Sequence, residues 1–99
     1  MIYLKIHETP EGRIIAACDG ELIGKVLDDG ARYLDLEASK NFYVGEKAGE
    51  ADLEKALNDF KSANLVGKTT VDVAVKAGFA DKEGVIYINK VPHIQIYKI

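Results

Sequence analysis

A single cysteine, Cys18, among 99 residues leaves no pair for an internal disulfide framework. No apolar run approaches the ~18 residues that a membrane-spanning helix needs. A basic excess is also missing. Lys and Arg number 13 against 16 Asp and Glu, a formal net charge of −3, which argues against holding nucleic acid by bulk electrostatics and leaves only a local patch for that role. The acids crowd into residues 8–29 and 46–59, so the last third of the chain is mildly basic. Internal repeats, linkers and low-complexity segments are absent. The opening Met1-Ile2-Tyr3-Leu4-Lys5 runs straight into a strand pattern, without the basic region and apolar core of a secretory signal. The expectation is a soluble cytoplasmic protein, one compact domain over residues 1–99, near the size at which a single core becomes self-sufficient.

What is present is strong patterning at both ends. In Ile2-Tyr3-Leu4-Lys5-Ile6-His7 the even positions are apolar and the odd ones are Tyr3, Lys5 and His7. In His93-Ile94-Gln95-Ile96-Tyr97-Lys98 the alternation returns, with Ile94 and Ile96 opposite His93, Gln95 and Tyr97. Period two marks a strand with one buried face, so both ends are expected in a sheet. Thr9-Pro10-Glu11-Gly12 is turn chemistry between the first strand and a second over residues 13–18, a hairpin that sets His7 roughly opposite Ile14 and leaves the register open. Ile14, Ile15, Ala16 and Ala17 are apolar on both faces, as a central, doubly covered strand requires.

Between the ends, Asp19 is placed to cap a short helix through Leu22, Ile23, Val26 and Leu27, which Asp28-Asp29-Gly30 stops. Residues 31–37 alternate as a third strand, and Asn41-Phe42-Tyr43-Val44-Gly45-Glu46 reads as an apolar insertion, a short strand ending in a glycine-bounded loop. From Glu50 the period becomes helical: Leu53, Ala56, Leu57, Phe60 and Ala63 form one stripe. Asn64-Leu65-Val66-Gly67 interrupts it before a second helix over residues 68–77, with Gly78 suited to the left-handed position after its end. Residues 85–89 form a further strand, and Pro92 fits the start or edge of the last one. The sum is an α+β fold: a mostly antiparallel sheet of four to five strands with a helix pair packed on one face, its other face open.

No constellation carries catalysis. Gly67-Lys68-Thr69 matches only the end of a phosphate-binding loop, with Ser62 where the first glycine belongs and a helical pattern where a strand should precede. Cys18 lies about 13 Å along the hairpin from His7 and reads as a small buried thiol. His7, His93 and Cys18 lack the short-range spacing of a metal site, so neither cofactor nor metal is expected. The second helix, with Lys68, Thr69, Thr70, Asp72 and Lys76, is a poor reader of a DNA groove. The remaining surface is the outward set Tyr3, Lys5, His7, His93, Gln95 and Tyr97, joined by Tyr87. Rings and cations on an open sheet suit single-stranded RNA, where bases stack and phosphates meet charge. The competing interpretation is plain sheet surface or a protein or self-association interface, using that face or the Phe42-Tyr43-Val44 insertion.

Several segments taken together resemble a known family. They are residues 1–8, Ala17-Cys18-Asp19 with Leu22 and Gly24-Lys25, Phe42-Tyr43-Val44-Gly45-Glu46, Ala63-Asn64-Leu65-Val66-Gly67, Val85-Ile86-Tyr87-Ile88 and Val91-Pro92-His93-Ile94-Gln95. In order along nearly the whole chain, they resemble a small archaeal family, domain of unknown function 424. Lys90 departs from that pattern, standing where a glycine is expected before Val91-Pro92. The resemblance implies an archaeal cytoplasmic protein with a compact α+β domain, no established activity and no catalytic residues to carry over. The resulting expectation is a non-enzymatic binding domain, an accessory factor touching RNA or a ribonucleoprotein. The alternative is a protein-interaction or homo-oligomeric module without nucleic-acid contact.

Overall fold

The computed structural model describes residues 1–98. The N-terminal alternation becomes β1 (Ile2–Thr9), which turns through Pro10 and Glu11 into β2 (Gly12–Asp19). The pairing settles the register that the sequence left open, with His7 opposite Ile14 and Thr9 opposite Gly12. After a 3-10 turn come β3 (Val26–Asp28), β4 (Tyr33–Asp35), the single-turn helix α1 (Lys40–Tyr43) and β5 (Glu46–Ala48). Then follow α2 (Glu50–Ala56), β6 (Ser62–Val66), α3 (Lys68–Lys76), a second 3-10 turn over Lys82–Gly84, β7 (Ile86–Ile88) and β8 (Val91–Tyr97).

The fold is α+β, as expected, with a larger sheet than four to five strands. Six strands run in the order β5-β1-β2-β6-β8-β7, and β3 with β4 forms a second, two-stranded sheet. The main sheet is mixed, because β2 and β6 pair in parallel while its other neighbours are antiparallel. The difference comes from the segment after α2. Leu57, Phe60 and Ala63 fall at helical spacing, yet the helix stops at Ala56, where the Asn58 side-chain amide donates to the carbonyls of Glu54 and Lys55 (3.3 and 3.4 Å). The following Ser62-Ala63-Asn64-Leu65-Val66 is nearly all buried and supplies the central strand that joins the two halves of the sheet.

α2 and α3 lie together on one face, over Ile2, Ile15, Ala17, Leu65 and Ile94. The opposite face is not open. Leu27 of β3, Leu36 just after β4, and Tyr43 of α1 pack onto Ala16, Cys18, Val66 and Ile88. Phe42-Tyr43-Val44 is thus a helical turn and its continuation rather than a strand, and Tyr43 is 3% exposed. Burial pushes the Tyr43 hydroxyl up to about 12. β2 is covered on both faces, as its unbroken apolar run requires.

α3 ends as expected. Gly78 is left-handed (φ +84°), Phe79 N–H donates to Ala74 O (2.9 Å), and Phe79 packs on the core. The β7–β8 turn is tight despite Lys90. Ile88 pairs with Val91, and Asn89 (φ +50°) and Lys90 (φ +68°) both take the left-handed conformation of a primed two-residue turn. A lysine there carries a steric cost that glycine avoids. Lys90→Gly is therefore expected to stabilise the fold by about 0.5–1 kcal/mol, the relief of that cost less the added chain entropy of glycine. The check is a higher urea midpoint at unchanged slope; a lower midpoint would mean that Lys90 makes contacts worth more than the strain.

Candidate functional site

Cross-strand pairing puts Tyr3, Lys5, His7, His93, Gln95 and Tyr97 on the same sheet face, in three rows. One row is Tyr3–Cys18–Val66–His93, the next Lys5–Ala16–Asn64–Gln95, the third His7–Ile14–Ser62–Tyr97. Two strands separate the β1 trio from the β8 trio, so the two lie about 14 Å apart. The second sheet and α1 then engage most of the set. Lys5 Nζ donates to Asn41 O (2.6 Å), and the His7 ring stacks on Phe42 (4.8 Å between centroids, 12° between planes) while its Nε2 bonds Phe42 O (2.9 Å). Both side chains serve to hold α1 against β1. His93 is buried, with Nδ1 bonded to Leu65 O (2.9 Å); burial pushes its imidazole below the ordinary histidine range, a shift that the Leu65 bond opposes.

Gln95 and Tyr97 remain on the surface. Gln95 Nε2 donates to Asn64 Oδ1 (2.8 Å), and the Tyr97 ring is 70% exposed. Tyr87 is on the other face, since it pairs with Pro92 and not with His93. The six residues do not form one continuous stacking platform.

Two further groups singled out in the sequence are also internal. Cys18 is buried, its thiol donates to Asp19 O (3.3 Å), and burial together with the charges of Asp19 and Glu21 pushes it up to about 12. A thiol so held is not a nucleophile. His93 stands two strands from it, about 10 Å away.

Gly67-Lys68-Thr69 has a context different from the expected one: a strand, β6, precedes it and α3 follows. That is the setting of a phosphate loop. The amides that would hold a phosphate are taken, however. The Asp19 carboxylate, 3% exposed, accepts from Thr69 N (3.0 Å), Thr70 N (2.8 Å) and Thr70 Oγ1 (2.7 Å). Asp19 is thus the cap its residue type suggests, but of α3, which begins 49 residues on, and not of the turn it directly precedes. An internal carboxylate fills the anion position at this helix start.

The surface with the most coherent chemistry lies on the helix side, where α3 faces the β7–β8 hairpin. Lys68, Val71, Asp72, Val75 and Lys76 share one stripe of α3 and line a cavity of about 390 Å³. Lys82, Val85, Tyr87, Lys90 and Pro92 form the opposite wall. Gly67 N–H donates to Pro92 O (2.9 Å), which holds the start of α3 beside the hairpin. Lys68 and Lys90 therefore flank one end, and Lys76 and Lys82 flank the other. All four lysines are exposed, the Tyr87 ring is 54% exposed, and the valines supply an apolar floor. Among the described residues, neither Lys68 nor Lys76 is ion-paired with Asp72, although each lies four residues from it. The groove thus sets four cations against one carboxylate in a chain whose acids outnumber its bases.

Sequence reasoning missed this groove. The mild basicity of the last third was the available signal, together with the i, i+4, i+8 spacing of Lys68, Asp72 and Lys76. What could not be read was that Lys82, Tyr87 and Lys90 face the same helix stripe.

Comparison with known proteins agrees with the fold. The model of a family described as a protein of unknown function (DUF424) matches residues 6–99, and the chain belongs to that family. A crystal structure of an uncharacterized conserved protein from Methanopyrus kandleri is similar at 28% identity, with a TM-score of 0.78, over 97% of this chain and 90% of that one. No curated protein matches the chain. Among the described residues, no helix is long and apolar enough to cross a membrane.

Proposed function

We propose that this DUF424 chain is a non-enzymatic binding domain that contacts single-stranded RNA, through the groove between α3 and the β7–β8 hairpin. The observation that carries the reading is the gathering of Lys68, Lys76, Lys82 and Lys90 around an exposed Tyr87 on an otherwise acidic protein. Lysines meet phosphates and release counterions, while a tyrosine ring offers a stacking surface to any base. The groove is too small for a duplex, and its ring suits an unstacked base.

The test is fluorescence anisotropy with a labelled single-stranded oligoribonucleotide. With the four lysines neutralising two phosphates of a single strand, affinity is expected to fall about sevenfold between 50 and 200 mM salt. Tyr87→Ala is expected to weaken binding about tenfold, the loss of one stacked base. An oligonucleotide that fails to bind, or that binds the folded Tyr87→Ala protein as well as the wild type, sinks the reading.

A second reading, a protein interface, rests on the exposed Tyr97 beside the Asn64–Gln95 pair on the opposite sheet face. It predicts a mass that rises with concentration or a partner released by Tyr97→Ala.

A further inference from the structure

The arrangement of charge along the groove says more than its sum. The lysines stand in two groups, Lys68 with Lys90 and Lys76 with Lys82, and the α3 members are about 12 Å apart along the helix axis. Between them, on the same stripe, is Asp72, one helical turn from each. A phosphate at the middle of the groove would meet a carboxylate and be repelled. A hydroxyl there would find an acceptor, since an ionised carboxylate accepts and never donates.

In a single strand of RNA, a ribose whose one free hydroxyl is the 2′ separates two phosphates, which is the same order of groups. Resting on the reading of the groove as an RNA site, we propose that it takes one ribonucleoside with a phosphate at each end, and that an Asp72 carboxylate oxygen accepts from the 2′-hydroxyl. Lys68 and Lys90 bind one phosphate, Lys76 and Lys82 the other, and Tyr87 stacks on the base. Asp72 is then the residue that separates RNA from DNA, because the 2′-hydroxyl is the donor that DNA lacks. The cavity of about 390 Å³ lies at the small end of the usual ligand-pocket range, consistent with one unit rather than a run of bases.

The experiment compares three oligonucleotides of one sequence (RNA, DNA and 2′-O-methyl RNA) on the wild type and on Asp72→Ala. Wild type is expected to bind RNA about tenfold more tightly than either analogue, the worth of one hydrogen bond to a charged group. The methylated strand keeps an RNA-like sugar but has no donor, so it should behave as DNA does. In Asp72→Ala, removal of a negative charge should strengthen binding of DNA and 2′-O-methyl RNA, whereas RNA gains the same relief but loses its hydrogen bond, so the RNA preference should collapse towards one.

A carboxylate that only repels phosphate predicts a different result. All three affinities would then rise by the same factor and the ratio would not move, which overturns the assignment. Equal binding of RNA and DNA by the wild type overturns it as well, while leaving the RNA-contact reading standing. Failure to bind any strand removes that reading, and the assignment with it. Asp72 is exposed and has no hydrogen bond or ion pair among the described residues, so the variant is expected to fold.

Discussion

Asp19→Ala is expected to lower the stability of the fold by about 3 kcal/mol. The carboxylate accepts three hydrogen bonds from Thr69 and Thr70 where neither it nor the 0%-exposed Thr70 meets water freely. Alanine removes the acceptor and leaves the buried Thr70 amide and hydroxyl, and the half-buried Thr69 amide, without it. An exposed N-cap is worth about 1 kcal/mol; burial and the charge of the acceptor raise this one to the upper end of cap and buried-bond values. Against a total stability of roughly 5–15 kcal/mol for a domain, that is a large fraction. Urea unfolding followed by circular dichroism would read it as a lower midpoint at unchanged slope. Asp19→Asn, which keeps one oxygen in place, should lose less. A loss under about 1 kcal/mol for alanine would mean that water enters and replaces the carboxylate.

The second large effect is at the other side of the same junction. Gly67 is the N-cap of α3 with φ +107°, and a Cβ built there collides with the Asp19 Cβ, Cγ and Oδ2 atoms. Gly67→Ala combines a backbone conformation that L residues avoid with a displaced carboxylate. A loss of about 3–5 kcal/mol is expected, enough to leave the protein partly unfolded at room temperature. The two causes separate in a double-mutant cycle. If collision with Asp19 dominates, Gly67→Ala in an Asp19→Gly background should cost clearly less than in the wild type, because Cβ, Cγ and Oδ2 are then all gone. Strict additivity would instead attribute the whole effect to the backbone.

These two residues also show what kind of information a linear reading captures. Asp19 announces a helix cap by its chemistry, yet the helix it caps begins 49 residues away in sequence, so the short helix expected immediately after it is only a 3-10 turn. The alternation in β1 and β8, the turn from Thr9 to Gly12, and α3 with its Gly78 terminus were all legible. Each is written in residues two to four positions apart, the range over which strand and helix periodicities act. The stripe from Leu53 to Ala63 shows the limit of that range. Helical spacing continues past Ala56, but a central strand with apolar residues on both faces satisfies the same letters, and tertiary burial selects it.

The candidate site follows the same division. Period two correctly put Tyr3, Lys5 and His7 on one face of β1 and His93, Gln95 and Tyr97 on one face of β8, because successive strand residues must alternate; strand pairing decided that the two trios share a sheet face and that Tyr87 does not join them. Whether that face met water depended on Leu27, Leu34, Leu36 and Tyr43, whose packing onto Ala16, Cys18 and Val66 has no local signature. The sequence by itself determined the two terminal strands, the first hairpin, the last helix and the α+β class, since those rest on short-range spacing and turn chemistry. Only the tertiary structure decided the parallel β2–β6 pair, the covering of the second face, the Asp19 cap and the meeting of four lysines around Tyr87. Long-range partners leave no period in the chain; they are chosen by burying apolar surface and satisfying buried polar groups across the whole fold.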